Sequence, residues 1–92
     1  MNIEITARNF TISDYLKEFT NDKLMKLLKY DSNISNISVV FLKENRAEKV
    51  ELLVHSNNNQ FIAKCYSSVF EKTLVNAISS IISQINKNKT KY

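Results

Sequence analysis

The chain has 92 residues, 43% of them hydrophobic, which suits one domain with a modest core rather than several domains. No apolar run approaches the roughly 18 residues of a membrane span, and with an alternating, charged start and one cysteine we expect a cytoplasmic protein without signal peptide or disulfides. The formal net charge is moderately positive, at +4, and the absence of glycine excludes a glycine-rich phosphate-binding loop.

The first part of the chain predicts a strand followed by a helix. Residues 2–8 alternate between apolar and polar side chains, which is typical of a half-buried strand. Ser13 precedes Asp14, and this pair predicts a capped helix start with negative charge at its positive end. Apolar residues at helical spacing then extend the helix over about 14–29, until the polar run 31–33 ends it.

The middle of the chain predicts three antiparallel strands. Residues 37–43 are apolar and β-branched, and residues 48–55 and 60–66 alternate at least in part. Polar turns are predicted at 44–46 and 56–59. Because the chain contains no Gly and no Pro, its turns must be formed by Asn, Asp and Ser, which tolerate left-handed backbone better than most residues.

The last predicted element is a helix that begins near residues 67–68 and ends near Asn86. Ser68 and Glu71 have the spacing of a capping box. A clear apolar stripe predicts a well-buried face, and it consists of Phe70, Leu74, Ala77, Ile78, Ile81 and Ile85. We predict a single α+β domain over residues 1–86 and a basic C-terminal tail over 87–92.

The order β-α-β-β-β-α predicts an α+β fold, a four-stranded sheet with two helices packed on one face. This is the order of double-stranded RNA-binding domains with an additional first strand. A fold of this kind hosts several activities, so function must be inferred from particular side chains.

The positive charge is concentrated at the C-terminal end. Residues 73–92 contain Lys87, Lys89 and Lys91 and no acidic residue, whereas all nine acidic residues lie earlier in the chain. Such a segment attracts nucleic acid or an anionic membrane, although a solvated tail that aids solubility is the simpler interpretation. If the two helices pack side by side, Lys23, Lys26 and the tail lysines line one positive surface.

Other chemistry-bearing residues do not predict an enzyme. His55 has no Cys or second His at metal-ligand spacing, and Cys65 lies in an apolar strand, where it is best explained as a small buried residue. Glu48 and Glu51 are too solvated to act as an acid–base pair. We expect no metal, no cofactor, no small-molecule substrate and no membrane partner.

Two tyrosines and one arginine are weaker candidates for RNA contact. Tyr30 and Tyr66 are able to stack on bases as aromatic residues do in single-strand binders. The simpler interpretation is that Tyr30 closes the first helix against the core and that Tyr66 packs on the sheet or lies exposed at its edge. Arg8 closes the first predicted strand, and we interpret it as an exposed turn residue.

Several segments together resemble a known family. The opening 1–13, the helical segment 16–27, the strand 37–41 and the segment 84–89 are similar to the ribosome hibernation promoting factors, in their short form, and to the related ribosome-associated inhibitors of the sigma-54 modulation family. The resemblance covers nearly all of the chain and lies in the order and spacing of elements rather than in one motif.

The resemblance implies a translation inhibitor rather than an enzyme. Its members bind the small ribosomal subunit and its ribosomal RNA, within whole ribosomes of stationary or starved cells, where messenger and transfer RNA would lie. Carried over by position, the RNA-binding residues are Lys17, Lys23, Lys26, Gln84, Lys87, Lys89 and Lys91. Ser80 and Ser83 stand where basic residues are usual, so we expect weaker ribosome binding, because a serine releases no counterion.

Two alternatives remain. One is a general module for structured RNA that is not dedicated to the ribosome. The other is a protein-interaction module that docks through an exposed sheet face, with Leu53 and Ile62 as its contact residues. Salt-dependent binding to RNA distinguishes the first from the second.

Overall fold

The structure, a computed structural model, describes residues 1–89, which form a four-stranded sheet and two helices. The strands β1 (Asn2–Arg8), β2 (Ile34–Glu44), β3 (Ala47–Ser56) and β4 (Asn59–Ser67) lie side by side in chain order. Helix α1 spans Asp14–Met25 and continues as a 3-10 helix over Lys26–Lys29, and α2 spans Phe70–Lys89. The predicted β-α-β-β-β-α fold, with both helices on one face, is confirmed.

Strand alternation gives the sheet a covered face and an open face. Val39, Phe41 and Leu52 are fully buried on the covered face, where the helices pack. On the open face the pairing registers align Arg8, Leu42, Lys49 and Tyr66 in one row across the four strands. The same registers place Leu53 opposite Ile62 on that face.

Both helices begin at the same end of the sheet. β1 is parallel to β2, whereas the pairs β2–β3 and β3–β4 are antiparallel, so β1 and β4 run in the same direction and each is followed by a helix. The Phe10 and Phe70 rings stack there with centroids 4.8 Å apart, and the edge of Phe70 meets Phe41 at 5.2 Å. The C-terminal ends of the two helices are therefore neighbours at the opposite end.

Asparagine forms the left-handed turns, as the glycine-free composition predicts. Asn9, Asn45 and Asn57 have φ angles of 70°, 55° and 55°, and they are the only residues with positive φ in the described part of the chain. Asn45 begins the connection between β2 and β3, and Asn57 begins the connection between β3 and β4. Asn tolerates this conformation better than other residues with a Cβ atom.

The predicted capping box of α2 is wrong. The helix begins at Phe70, so Ser68 lies one residue too early to cap it. The backbone N–H of Phe70 instead donates to Glu48 Oε1, at 2.7 Å, because the strand register pairs Glu48 with Ser67 at the turn into the helix. The cap is therefore supplied by a neighbouring strand rather than by the helix itself.

Two helix ends differ from the prediction. The segment predicted as one helix over 14–29 tightens from α to 3-10 geometry at Lys26. α2 continues to Lys89, so residues 87–89 of the predicted tail are helical. Each further residue adds a hydrogen bond once a helix exists, and lysines in the last turn are favourable at the negative helix end. Neither helix within residues 1–89 is long and apolar enough to cross a membrane.

Candidate nucleic-acid interface

A groove lies between the two helices and is here called the interhelical groove. It encloses about 160 Å³. Its residues are Lys23, Lys26 and Tyr30 on the α1 side and Val75, Ile78, Ser79 and Ile82 on the α2 side. The α2 side is mainly apolar, so the positive charge of the groove is carried by the α1 side.

Aromatic and basic side chains contact one another in a row along α1, on the side that leads to the groove. Tyr15, Phe19 and Lys23 are spaced by four residues and therefore share one face of the helix. The ring centroids of Tyr15 and Phe19 lie 6.1 Å apart, and Lys23 Nζ lies 5.4 Å from the Phe19 centroid. This cation–π contact orients the ammonium group without neutralising it.

Lys23 and Lys26 are available to an anion. Neither side chain forms an ion pair within residues 1–89, Lys23 is partly buried and Lys26 is exposed. Lysines of this kind neutralise phosphates with little preference for base sequence. The groove therefore combines two ammonium groups that have no ion-pair partner among residues 1–89 with a mainly apolar wall.

Lys89 links the two helices at their C-terminal ends. Its Nζ donates a hydrogen bond to the backbone carbonyl oxygen of Tyr30, the residue that ends the 3-10 helix. A cation is favourable at a helix end, where carbonyl groups lack intrahelical partners. Lys89 thus joins the two helices at Tyr30, one of the residues that line the groove.

Gln84 and Lys87 lie on a different side of α2. Gln84 Nε2 donates to the carbonyl oxygen of Ile62 at 2.8 Å and to Ser80 Oγ at 3.3 Å, so it lies over β4. Gln84 and Lys87 line a second cavity, of about 270 Å³, together with Phe61 and Asn88. The structure brings these two predicted residues together but separates them from the interhelical groove.

Two further predicted residues lie apart from both groups. Lys17 is exposed and lies six positions before Lys23, which rotates it by about 120° around the helix axis relative to Lys23. It therefore faces a different direction from the groove. Lys91 lies outside the described residues.

The two serine positions have different environments. Ser80 is partly buried and accepts the hydrogen bond from Gln84, whereas Ser83 is exposed. Ser83 is therefore open to solvent at a position where the resemblance implies a basic side chain.

The sequence did not identify the α2 wall of the groove. Val75, Ser79 and Ile82 are spaced by three or four residues and lie beside the core stripe of the same helix. That spacing was visible in the sequence. Only the packing of α1 against α2 shows that this second stripe, part of which is exposed to solvent, lies across the groove from Lys23 and Lys26.

Among residues 1–89, the titratable side chains form no cluster suited to a metal ion, and Cys65 and His55 lie apart. Within residues 1–89, no three His, Cys, Asp or Glu side chains come together as a metal site would require. Cys65 pairs with the buried Val50 and faces the helices, whereas His55 pairs with Gln60 and faces the open side. The two side chains therefore lie on opposite faces of the sheet.

Comparison with protein families gives one match along nearly the whole chain. The model of the family described as "Sigma 54 modulation protein / S30EA ribosomal protein" matches residues 3–92. The ribosome hibernation promoting factor of Escherichia coli (strain K12) is 26% identical over 91 residues, covering 99% of this chain and 96% of that protein. The factor of the same name from Salmonella typhimurium (strain LT2) is 25% identical with the same coverage.

Solved structures share the fold. A ribosomal subunit interface protein from Coxiella burnetii superposes with a TM-score of 0.92 and 27% identity, covering 99% of this chain and 100% of that one. The N-terminal domain of Protein Y from Thermus thermophilus superposes with a TM-score of 0.86, covering 96% of this chain and 99% of that one. At 19% identity, the second likeness establishes the fold alone.

Proposed function

Because the chain belongs to the Sigma 54 modulation protein / S30EA ribosomal protein family, we propose that it is a ribosome hibernation factor that binds the small ribosomal subunit and inhibits translation. The observation that carries this proposal is the relation to the Escherichia coli hibernation promoting factor, which extends over 99% of this chain and 96% of that protein. Relatives of this kind support a ribosome-associated factor rather than an enzyme. Ribosome binding places the protein in the cytoplasm.

The interhelical groove supplies a surface for ribosomal RNA. Lys23 and Lys26 present ammonium groups without ion-pair partners among residues 1–89, and Lys89 adds charge at the same end. Phosphate contacts position a protein on RNA without reading its sequence, which suits a factor that docks on one folded site. Gln84 and Lys87 form a second contact on the β4 side of α2.

The mechanism is steric. A domain anchored by its helices in the channel of the small subunit occupies the space that messenger and transfer RNA need, and so holds the ribosome idle. No bond is made or broken, so the function needs neither a cofactor nor a substrate. Affinity is electrostatic in large part and therefore falls as salt concentration rises.

Co-sedimentation with purified small subunits, large subunits and whole ribosomes across a salt series tests the proposal. We expect binding to small subunits and whole ribosomes. The Lys23→Ala/Lys26→Ala variant should bind about tenfold more weakly or worse, with a salt slope lower by roughly 0.9 for each lost contact. The control Arg8→Ala/Lys43→Ala removes the same charge away from the groove, since both residues lie at the ends of β1 and β2 where the helices begin, whereas Lys23 and Lys26 lie at the C-terminal end of α1.

Two results would count against the proposal. Equal loss of binding in both double variants would show that net charge, not the groove, controls affinity. Displacement from ribosomes by bulk RNA at similar concentration would favour a general module for structured RNA. A cell-free translation assay with the same variants then tests whether binding and inhibition are lost together.

A further inference from the structure

An exposed tyrosine stands on the open face of the sheet, away from both helices. Tyr66 is 74% exposed, more than Tyr15 at 63% or Ile62 at 50%. It lies near the end of β4, one residue before that strand ends. Because successive side chains of a strand point to opposite faces of the sheet, the Tyr66 ring points to solvent and away from the core.

A cavity of about 630 Å³ adjoins this ring, which is within the usual size range for small-ligand sites, roughly 300–1,000 Å³. The turn between β2 and β3 forms one side, and the connection from β4 to α2 forms the other. The lining residues are Glu44, Asn45, Arg46, Ala47, Lys49, Tyr66, Ser67 and Ser68. The space is therefore large enough for a nucleobase and the phosphate beside it.

Positively charged side chains flank the ring on several sides. Lys49 is the register partner of Tyr66 on β3, and Lys64 lies two residues earlier on the same face of β4, opposite the carboxylate of Glu51. Arg46 lines the cavity, and neither Arg46 nor Lys64 forms an ion pair within residues 1–89. An exposed aromatic ring between cations is the arrangement that binds single-stranded nucleic acid, since every base has a face that stacks.

We propose that this second surface, the Tyr66 surface (Arg46, Lys49, Lys64 and Tyr66), binds a single-stranded segment of RNA. A base stacks on the Tyr66 ring, and neighbouring phosphates contact Arg46 and Lys64. The surface lies on the opposite face of the sheet from the interhelical groove, so both are accessible at once. The choice of RNA over DNA rests on the proposed function, whereas the surface itself does not.

Glu44 limits the affinity of this surface. Its Oε1 lies 2.8 Å from Lys49 Nζ, and this contact raises the pKa of Lys49, so the ammonium remains charged but is occupied by a carboxylate. Removing the carboxylate frees Lys49 for a phosphate and removes a repulsive charge. Glu44→Gln should therefore strengthen RNA binding, a gain that loss of structure does not produce.

Fluorescence anisotropy with a labelled short oligoadenylate at low salt tests the proposal. Tyr66→Ala should weaken binding by about tenfold, the effect of losing one stacked base, and Tyr66→Phe should retain most of the affinity. Arg46→Ala should lower the salt slope by about 0.7, the value for one phosphate of a single strand. Ile62→Ala is the matched control, because Ile62 is exposed on the same strand and the same face.

Several outcomes would overturn the proposal. These are unchanged affinity in Tyr66→Ala, an equal loss in Ile62→Ala, or a loss confined to Lys23→Ala/Lys26→Ala. Equal affinity for DNA of the same sequence would support the surface but overturn its restriction to RNA. Co-sedimentation of Tyr66→Ala with ribosomes is measured separately, so failure of this inference and failure of the proposed function give different results.

Discussion

Glu48 accepts a hydrogen bond from the backbone N–H of Phe70 across 22 residues of chain, with 2.7 Å between Oε1 and N. The contact places a carboxylate at the positive end of α2, where backbone N–H groups lack intrahelical partners. Glu48 Oε2 also lies 3.9 Å from Lys43 Nζ. One side chain of β3 therefore fixes where the longer helix begins.

We predict that Glu48→Ala destabilises the protein by about 1–2 kcal/mol, the usual cost of losing a helix cap. Glu48→Gln should lower the free energy of unfolding by less, because the amide oxygen of glutamine still accepts the hydrogen bond. Urea unfolding followed by circular dichroism measures both changes. Glu51→Ala is the control, since Glu51 is exposed on the open face of the same strand. If Glu48→Ala lowers the free energy of unfolding no more than Glu51→Ala does, the helix cap contributes nothing to stability.

The left-handed conformation of Asn57 leads to a second prediction. With φ at 55°, Asn57→Ala should lower the free energy of unfolding by about 1 kcal/mol, because alanine lacks the short polar side chain whose local hydrogen bonds help asparagine adopt the left-handed conformation. Asn57→Gly should be close to neutral, since glycine adopts positive φ freely but loses more entropy on folding. Asn58→Ala, at the next position with negative φ, should have little effect. Equal losses at both asparagines in thermal or urea unfolding would contradict the explanation.

Thr20 offers a stabilising substitution. Its side chain is fully buried and its Oγ1 has no hydrogen-bond partner among residues 1–89. Thr20→Val keeps the shape and removes the unsatisfied hydroxyl, so we expect a gain of about 1 kcal/mol in the free energy of unfolding. Thr20→Ser keeps the hydroxyl and deletes a buried methyl group, so the free energy of unfolding should fall by about 0.8 kcal/mol. A Val variant less stable than the wild type would indicate that the hydroxyl is satisfied in solution.

The exposed Ser83 provides a test by gain of function. Ser83→Lys adds a cation to α2 at a position where relatives are expected to carry one, and it breaks no hydrogen bond shown by the structure. We expect tighter ribosome binding and a salt slope steeper by roughly 0.9. Thr11→Lys is the control, because it adds the same charge at an exposed site before α1. If both variants gain equally in co-sedimentation, the effect comes from net charge.

Ser80→Lys should behave differently from Ser83→Lys. Ser80 is partly buried and accepts a hydrogen bond from Gln84 Nε2 at 3.3 Å, and Gln84 also bonds the Ile62 carbonyl at 2.8 Å. A lysine there adds charge but removes one of the two acceptors of Gln84. We expect a smaller gain in ribosome affinity than at Ser83, accompanied by a lower melting temperature. A gain equal to that of Ser83→Lys with unchanged stability would show that the Gln84 contact is dispensable.

The sequence by itself determined the elements and their order. Alternation in β1 and the apolar stripe of α2 from Phe70 to Ile85 report which side of each element is buried, and this information is local because side-chain direction repeats every two or about 3.6 residues. The absence of glycine likewise predicted that asparagine would form the turns, which Asn45 and Asn57 do. Such features depend on neighbours in the chain.

Only the tertiary structure decided which distant residues meet. Glu48, rather than Ser68, caps α2 because the register of β3 with β4 brings it to the helix start. Lys23 and Lys26 share a groove with α2, whereas Lys17 and Gln84 face elsewhere, because the rotation of each helix about its axis follows from packing. Tyr66 lies beside Lys49 through strand pairing and shares a cavity with Arg46 of the turn between β2 and β3. Local patterns carry the period of an element, but the contacts between elements depend on register and packing across the whole sheet.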